Sequence, residues 1–524
     1  MNLCLTSSVT RAAQINPDGL AVAGPGAVSW KVFAERVNRV AAGLLAVGVR
    51  SGDRVALLSL NRPEFLEAQH AIWAAGAVLI PINHRLAASE IIDILNDAQV
   101  SCLMVDEDHT ANIPEVVKSV ESLQLLVALQ EPKVLALNAF GVPVALLTQL
   151  RDTEPMATTL AMVDDESTAA IFYTGGTTGR PKGVMLSHKS FAVQALVMAN
   201  ALQLQADSVY LHATPMFHLA DFGIGLALTI VAGAHTFMPR FGAAQAIERI
   251  AAVGVTEVNL VPTMLATILD ELTTDQTSVL MKIRTVAYGG SSITAPLLRR
   301  LMQAMPLARF RQFYGMTELC GACTTLPPDR HVVDGSLAGK LGSAGQALPM
   351  TEVEIRSTDG ECLENGQLGE IVVRGPQMMQ GYWQNIAATE AALSNGWLRT
   401  GDVGVVDANG FVTIIDRIKD MIVTGGENVY SVEVESVLAS HPGVAACAVI
   451  GLPDPKWGER IHAVVVKRPN TCLSEDDLDE HCRTRIAGYK RPRSYEIREN
   501  ALPLSGAGKV RKAQLKEDAL NRSS

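Results

Sequence analysis

Short apolar runs, many of them rich in β-branched residues, alternate with helical patterns through most of the chain before Gly369. The apolar runs predict buried strands at residues 54–58, 78–81, 102–105, 256–261 and 285–288. The segments between them predict helices, for instance over residues 30–47 and 295–305. This alternation indicates an α/β architecture with several layered sheets.

The pattern changes after Gly369. Strands are predicted at 369–374 and 411–415, followed by a charged segment at 416–420 and then a compact α+β pattern. In that last part a helix is predicted from Ser431, strands at 445–450 and 461–466, and a second helix at the capping box of Ser474 and Asp477. We therefore predict an N-terminal domain over 1–416, a C-terminal domain over 417–524, and a linker near 416–420.

Size and charge narrow the class of protein. The chain has 524 residues, 48% of them hydrophobic and 19% charged, so two or more well-packed domains are expected. The formal net charge of -10 argues against nucleic acid as the main partner. The most apolar long stretch, 219–238, contains Asp221 and His235, and it predicts a buried helix or strand pair rather than a transmembrane segment.

The lack of a signal-peptide pattern and the scattered cysteines favour a cytoplasmic location. The N-terminus shows no basic region followed by an apolar core, as a signal peptide would. The eight cysteines are scattered, which does not predict a disulfide framework. Cys320 and Cys323 form one CxxC pair, which alone is weak evidence for a metal and is interpreted as two small apolar residues.

A glycine- and threonine-rich loop carries the strongest chemical signal. It follows an apolar run, and its sequence is Thr174-Gly175-Gly176-Thr177-Thr178-Gly179-Arg180-Pro181-Lys182. Glycine lets backbone N–H groups turn toward an anion, threonine adds hydroxyl donors and lysine adds charge, so the loop predicts phosphate binding. It lacks Walker A spacing, because Lys182 follows a proline and no Ser or Thr follows it.

Further motifs are modest signals singly, since each could be an ordinary loop. They are Pro215–His218, Ala287-Tyr288-Gly289-Gly290-Ser291, Tyr314-Gly315-Met316-Thr317-Glu318, Trp397–Asp402, Gly425–Tyr430 and Ser505–Lys512. Their order and separations resemble the adenylate-forming superfamily of acyl-CoA synthetases, adenylation domains and beetle luciferases. The resemblance spans nearly the whole chain and implies a large multi-sheet α/β domain with a small β-barrel-like subdomain, plus a small mobile α+β C-terminal domain.

The resemblance also implies a reaction in two halves that uses ATP, Mg²⁺ and coenzyme A. A carboxylate attacks the α-phosphate of ATP to give an acyl-adenylate and pyrophosphate, and a thiol then displaces AMP. It implies that residues 174–182 bind the β- and γ-phosphates, although Gly175 stands where the family usually has serine. By the same resemblance, Thr317 contacts phosphate, Glu318 is the Mg²⁺ ligand and Tyr314 stacks beside adenine.

The resemblance to the adenylate-forming superfamily implies roles for further residues. The resemblance assigns nucleotide contacts to Gly289, Gly290, Ser291 and Gly315, and ribose binding to Asp402 with Arg417 beside it. Lys509 would bridge the acyl carboxylate and the α-phosphate, and His218 would orient the acid and the thiol. Lys419 would be the hinge on which the C-terminal domain turns, bringing in Gly425 and Gly426, whose missing side chains leave room for a pantetheine arm.

The acid itself is less well specified. The resemblance implies an acyl pocket lined by residues 218–223, 261–264, 288–290, 314–316 and 320–323, with no lysine or arginine among them. An apolar acid is expected, either a medium- or long-chain fatty acid or an aryl or arylpropenoic acid. Asp221 either faces away or meets a polar group of the substrate.

Three other functions compete with that of a carboxylate–CoA ligase. A free-standing enzyme that loads a carrier protein stays open. A non-catalytic nucleotide-binding relative would be expected to lack Lys509, Glu318 or the glycine loop, and all are present. A P-loop ATPase or kinase is disfavoured by the missing Walker A spacing. A homodimer is common in that superfamily, and the sequence leaves the oligomeric state open.

Overall fold

The computed structural model describes residues 3–130, 141–155, 163–174, 181–273, 276–290, 293–334, 338–504 and 510–523. Its contacts divide the chain into two compact units, which we describe separately. The first comprises residues 1–352 and 373–398, and the second comprises residues 353–372 and 399–524. The predicted boundary at 416–420 lies inside the second unit, and it stays a prediction.

Two large sheets form the framework of the first unit. In spatial order, the nine-stranded sheet contains Gln346–Ala347, Gly321–Leu326, Arg309–Met316, Thr285–Gly289, Glu257–Asn259, Val209–His212, Ala234–Phe237, Leu20–Val22 and Val28–Ser29. Its five central pairings, from Arg309–Met316 to Leu20–Val22, are parallel. Parallel strands are buried on both faces, which explains why they read as nearly continuous apolar runs in the sequence.

The eight-stranded sheet is also mostly parallel. Its order is Gly381–Tyr382, Lys182–Ser187, Thr168–Thr174, Val78–Pro81, Arg54–Leu58, Cys102–Val105, Leu125–Ala128 and Val144–Leu146. The first three strands pair antiparallel. The glycine-rich loop therefore joins the two strands of a β-hairpin.

Helices cover these sheets in the first unit. They are Ser8–Ile15, Trp30–Ala46, Pro63–Ala74, Ala88–Asp97, Ile113–Ser119, Leu147–Arg151, His188–Leu202, Leu219–Ile230, Ala243–Val253, Pro262–Glu271, Thr277–Leu280, Ala295–Ala304 and Ile386–Ala392. A short strand, Leu393–Ser394, follows the last of them.

The remaining strands form two smaller sheets. Glu352–Arg356, Gly369–Arg374 and Trp397–Val406 lie side by side, and Val412–Arg417 pairs antiparallel with the last of these. The C-terminal sheet runs Glu427–Val429, Ile422–Thr424, Gly458–Lys467 and Val444–Asp454, with Ser494–Arg498 parallel to Gly458–Lys467. The helices of the second unit are Ser431–Ala439, Glu475–Arg483 and Lys512–Ser523.

Most sequence-predicted elements agree with the structure to within a few residues. Four strands have the predicted bounds, at 54–58, 78–81, 102–105 and 369–374. The strand predicted at 256–261 is shorter, because Val261 already precedes a helix that begins at Pro262. Residues 219–238 form a helix followed by a strand, Leu219–Ile230 and Ala234–Phe237. Among the residues that the structure describes, no helix is both long and apolar enough to cross a membrane.

Candidate active site

Four neighbouring parallel strands of the nine-stranded sheet bring separate motifs to one edge. The strands Val209–His212, Glu257–Asn259, Thr285–Gly289 and Arg309–Met316 are adjacent and point the same way. Their carboxyl ends lead into Pro215–His218, Val261, Gly290 and Thr317 respectively. Ligands of open α/β sheets bind in the crevice outside the carboxyl ends of the strands, so this edge is the candidate site.

Two glycines at this edge could not be replaced without moving the backbone. A Cβ on Gly289 would lie 2.9 Å from the carbonyl oxygen of Phe313 on the next strand. A Cβ on Gly315 would overlap the carbonyl oxygen of Gly321. The sequence pattern predicts a strand at 309–313 with Tyr314 and Gly315 after it. In the structure both residues lie within the strand Arg309–Met316, at an irregularity of its pairing with Gly321–Leu326. The close packing fixes the position of the turn that follows.

That turn carries Thr317 and Glu318 as a short 3-10 helix, Thr317–Leu319. The side chain of Glu318 is mostly buried, and its Oε1 accepts a hydrogen bond of 2.8 Å from the hydroxyl of Tyr382. Its carbonyl oxygen accepts a second bond of 2.8 Å from the backbone N–H of Met379. Burial and the neighbouring Glu318 carboxylate raise the pKa of Tyr382 well above its ordinary value. The hydroxyl therefore stays protonated and is the donor of its hydrogen bond to Glu318.

The same tyrosine reaches the glycine-rich loop. Tyr382 lies on a strand that pairs with Lys182–Ser187, and the ammonium of Lys182 lies 5.0 Å from the centre of its ring. Lys182 pairs with Thr174 across the hairpin, while Gly175, Gly176, Thr177, Thr178 and Gly179 lie outside the described residues. Lys182, Tyr382 and Glu318 thus form one cluster.

A second contact set holds the strand before the loop and the segment that follows Gly381–Tyr382. The hydroxyl of Tyr173 and the indole N–H of Trp383 donate to the side chain and the carbonyl oxygen of Asp97, at 2.5 and 3.0 Å. A Cβ on Gly183 would lie 2.7 Å from Ile171, so this position leaves no room for a side chain. The hairpin that carries the loop is therefore anchored to the end of the helix Ala88–Asp97.

His218 and Asp221 have different surroundings although they are only three positions apart in the sequence. His218 is half-buried and caps the helix Leu219–Ile230, its Nδ1 accepting from the N–H of Ala220 at 3.4 Å. The carboxylate of Asp221 is fully buried, and it accepts from the hydroxyls of Tyr210 and Thr214 at 2.8 and 3.0 Å. This answers the question that the sequence left open, because Asp221 is committed to the protein interior.

Histidines extend the Asp221 network. His212 Nδ1 lies 2.5 Å from Asp221 Oδ2, and its Nε2 lies 2.9 Å from Nδ1 of His235. Burial is the main cause that lowers the pKa of His235 well below its ordinary value, and the nearby His212 lowers this pKa further. The ring of His235 is therefore neutral. The network is an internal support of the helix that carries His218.

The structure places one predicted pocket residue elsewhere. The side chain of Tyr288 is fully buried in the core, where its hydroxyl lies 2.9 Å from Nε2 of His331. Burial raises the pKa of Tyr288 above its ordinary range. Gly289 and Gly290 that follow it reach the carboxyl edge, whereas Ser291 lies outside the described residues.

In the second unit, Asp402 and Arg417 meet as the motifs suggested. Arg417 Nε lies 3.1 Å from Asp402 Oδ1, and the two residues face each other across a pair of antiparallel strands. Asp402 is mostly buried, whereas Arg417 is 43% exposed. The pair places a fixed carboxylate near the surface of this unit.

The segment after this pair contains the predicted hinge and the double-glycine loop. Lys419 is exposed in a short 3-10 turn, Ile418–Asp420. Gly425 and Gly426 both have positive φ, and a Cβ on Gly425 would lie 2.9 Å from the ring of Trp457. Lys509 lies outside the described residues.

Asp416, just before the turn, is held firmly. It is buried, and its Oδ2 accepts from the hydroxyl of Ser431 at 2.8 Å. Lys512 donates to the same hydroxyl at 2.5 Å and forms an ion pair of 2.7 Å with Glu435, whose pKa is raised by burial. These contacts hold Asp416, the first residue of the predicted linker, in the interior of the second unit.

Sequence reasoning missed Tyr382, which connects the glycine loop to Glu318. Its signal was the tripeptide Gly381-Tyr382-Trp383, in which two aromatic residues follow a glycine. Alternating residues of a strand face opposite sides, which sends Tyr382 toward Glu318 and Trp383 toward Asp97.

Comparisons with known proteins identify the class. Residues 9–383 match the model of the AMP-binding enzyme family, and residues 433–509 match that of the AMP-binding enzyme C-terminal domain. Feruloyl-CoA synthase from Amycolatopsis sp is 38% identical over 98% of this chain and 99% of its own length. A fatty acid–[acyl-carrier-protein] ligase, ScoC from Streptomyces coeruleorubidus, is 34% identical over 96% of this chain and 94% of its own.

Solved structures agree with this result. The o-succinylbenzoate CoA synthetase (MenE) from Bacillus subtilis, in complex with the acyl-adenylate intermediate OSB-AMP, superposes with a TM-score of 0.83. It is 31% identical, and the match covers 97% of this chain and 98% of that one. A structure of the same enzyme with ATP and magnesium ion gives a TM-score of 0.82 at 30% identity, over 97% of this chain and 99% of that one.

The chain therefore belongs to the AMP-binding enzyme family. It is an enzyme of the AMP-forming acid–CoA ligase class, which uses ATP, Mg²⁺ and coenzyme A. The resemblance, fold class and enzyme class predicted from the sequence are thereby confirmed. The residues fit such a metal, because Mg²⁺ usually takes one or two carboxylates together with substrate phosphates, and Glu318 offers a buried, oriented carboxylate.

Proposed function

We propose that this enzyme activates an apolar carboxylic acid, either a medium- or long-chain fatty acid or an aryl or arylpropenoic acid. The acid's carboxylate oxygen bonds to the α-phosphorus of ATP while the bond to pyrophosphate breaks. The sulfur of coenzyme A then bonds to the acyl carbon, the thiol proton is lost, and AMP leaves. Positioning and charge stabilisation are the protein's main contributions.

The burial of Asp221 is the observation that carries the choice of acid. Its carboxylate accepts bonds from three protein side chains, so it is not available to a polar acyl group. The expected pocket residues contain no lysine or arginine to pair with a second carboxylate. The 38% identity to feruloyl-CoA synthase supports the arylpropenoic option in particular.

Within the first unit, we assign roles to the glycine-rich loop and to the residues at the carboxyl edge of the nine-stranded sheet. Lys182 and the loop from Thr174 to Gly179 bind the β- and γ-phosphates, with Thr317 as a further phosphate contact. Tyr314 stacks beside adenine, and Glu318 holds Mg²⁺. Further nucleotide contacts come from Gly289, Gly290, Ser291 and Gly315. His218 orients the acid at the start of its helix.

The second unit contributes the mobile part of the mechanism. Asp402 binds the ribose hydroxyls, and its ion pair with Arg417 fixes its direction. Lys509 stabilises charge during adenylate formation. Turning at Lys419 then brings Gly425 and Gly426 in for the thiol step.

The decisive experiment is an assay of pyrophosphate and AMP release with ATP and Mg²⁺. The acids should include straight-chain fatty acids of increasing length, benzoic acids, arylpropenoic acids and a dicarboxylic acid, each with and without coenzyme A. We expect turnover that requires coenzyme A and yields a thioester with apolar acids. Preference for the dicarboxylic acid would contradict the assigned pocket.

An enzyme that loads a carrier protein is the second candidate function, and the 34% identity to ScoC is the observation that favours it. Such an enzyme would form an acyl-adenylate in the same assay without any response to coenzyme A. Transfer to a phosphopantetheinylated carrier protein would then identify the acceptor. A cytoplasmic location and a homodimer stay predictions.

The hinge assignment predicts the behaviour of Lys419→Pro. Proline fixes φ at its own position and restricts the residue before it, so the 3-10 turn loses its freedom to change conformation. We expect one half-reaction to slow by about tenfold or more while the other is little affected, since hinge closure gates many such steps. Lys419→Ala, which keeps the backbone free, is the control, and equal rates for both variants would place the hinge elsewhere.

A further inference from the structure

Contacts on both sides of its own short strand hold Tyr382 in position. The strand Gly381–Tyr382 has two residues, and it pairs with the hairpin strand Lys182–Ser187. Backbone bonds flank it, from Met379 N–H to Glu318 oxygen at 2.8 Å and from Trp383 N–H to the oxygen of Gly183 at 2.7 Å. The segment is therefore fastened to both the glycine-loop hairpin and the Glu318 turn.

The side chain of Tyr382 joins the same two parts. Its hydroxyl donates to Glu318 Oε1 at 2.8 Å, and its ring lies 5.0 Å from the ammonium of Lys182. Tyr382 is 9% exposed and Glu318 is 7% exposed, so both interactions are formed largely away from water. Hydrogen bonds to an ionised group are stronger than neutral ones, and a ring face attracts a nearby cation.

A carboxylate that binds a divalent cation has to be held in one rotamer, because Mg²⁺ accepts its oxygen ligands only in a narrow geometry. The bond from Tyr382 fixes Oε1 and leaves Oε2 for the cation. Without the hydroxyl, the side chain would lose this restraint and Oε1 would lose its donor.

We propose that Tyr382 is a positioning residue. Its hydroxyl orients Glu318 toward the divalent cation, and its ring holds the ammonium of Lys182 against the ring face. This rests on the proposed role of Glu318 as the metal ligand. Tyr382 touches no reacting atom in this assignment. It connects the phosphate-binding loop with the metal ligand, so that both take their positions together.

The test is Tyr382→Phe, which removes the hydroxyl and keeps the ring. Mn²⁺, which accepts the same oxygen ligands, serves as the probe in the presence of a non-hydrolysable ATP analogue, and bound metal is followed by electron paramagnetic resonance. We expect the half-saturating Mn²⁺ concentration to rise by about tenfold, as for loss of a hydrogen bond to a charged group. The rate of adenylate formation should fall, while thioester formation from supplied acyl-adenylate should stay unchanged.

Tyr210→Phe is the matched control. Tyr210 is also buried in the first unit, and its hydroxyl also donates to a carboxylate at 2.8 Å, that of Asp221. The substitution Tyr210→Phe should lower thermal stability without changing the Mn²⁺ affinity. An equal loss of Mn²⁺ affinity in both variants would overturn the proposal, because it would mean that any buried tyrosine hydroxyl supports the site by stability alone.

A double-mutant cycle makes the assignment independent of stability. In a Glu318→Gln background, Tyr382→Phe should have almost no further effect on Mn²⁺ binding, because its partner carboxylate is already lost. Additive effects of the two substitutions would contradict the coupling. If the wild-type enzyme adenylates its acid but Tyr382→Phe binds Mn²⁺ with unchanged affinity, this proposal is refuted and the proposed function stands.

Discussion

Replacing Lys509 with alanine is expected to abolish most adenylate formation while sparing the second half-reaction. In the assignment above its ammonium stabilises charge that develops between the acyl carboxylate and the α-phosphate. Removing one such preorganised group lowers the rate by about a hundred- to a thousandfold. Pyrophosphate release with acid and ATP measures the first step, and thioester formation from chemically prepared acyl-adenylate measures the second.

The control is Lys516→Ala in the C-terminal helix. Lys516 is 41% exposed, and its ion pair with Glu459 at 3.0 Å lies near the surface, so little change is expected in either step. Equal loss of both half-reactions in Lys509→Ala would show that the lysine does not belong to the first step. An unchanged first step would remove it from the mechanism.

Asp221→Ala is expected to destabilise the first unit strongly without changing which acids the enzyme prefers. The substitution leaves the buried donors of Tyr210, His212 and Thr214 without their shared acceptor. Removing one partner from a buried charged network costs about 3–5 kcal/mol. Thermal unfolding followed by tryptophan fluorescence is a suitable measurement, because Trp73 packs edge-on against Phe222, the residue after Asp221, at 5.9 Å.

Asp207→Ala provides the comparison for an exposed ion pair. Asp207 meets Arg284 at 2.9 Å but is 70% exposed, so its loss should cost about 0–1 kcal/mol. The relative rates across the acid panel should keep their order in Asp221→Ala at a temperature where it is folded. A change toward acids without hydroxyl or amine groups would mean that Asp221 reaches the substrate after all.

The hydrophobic pattern was sufficient for much of the fold. Buried parallel strands read as apolar runs because both of their faces are covered, and Arg54–Leu58 and Cys102–Val105 were predicted with their observed bounds for this reason. Ser474 and Asp477 likewise determine a helix start locally, and their reciprocal bonds are present at 2.9 and 3.2 Å. The sequence predicted the end of a strand less well where a tertiary contact determines that end. Tyr314 and Gly315 continue the strand Arg309–Met316 because the neighbouring strand Gly321–Leu326 pairs with them.

The motifs determined the class of the enzyme, since an ordered set of short chemical signatures is readable along the chain. Their spatial convergence depends on the sheet, because Pro215–His218, Gly290 and Thr317 meet only where parallel strands end at one edge. The direction of Asp221 and the contacts of Tyr382 were decided by tertiary structure alone. Tyr382 meets a carboxylate 64 residues away, and Asp221 is held by residues of a neighbouring strand, so no local pattern specifies either contact.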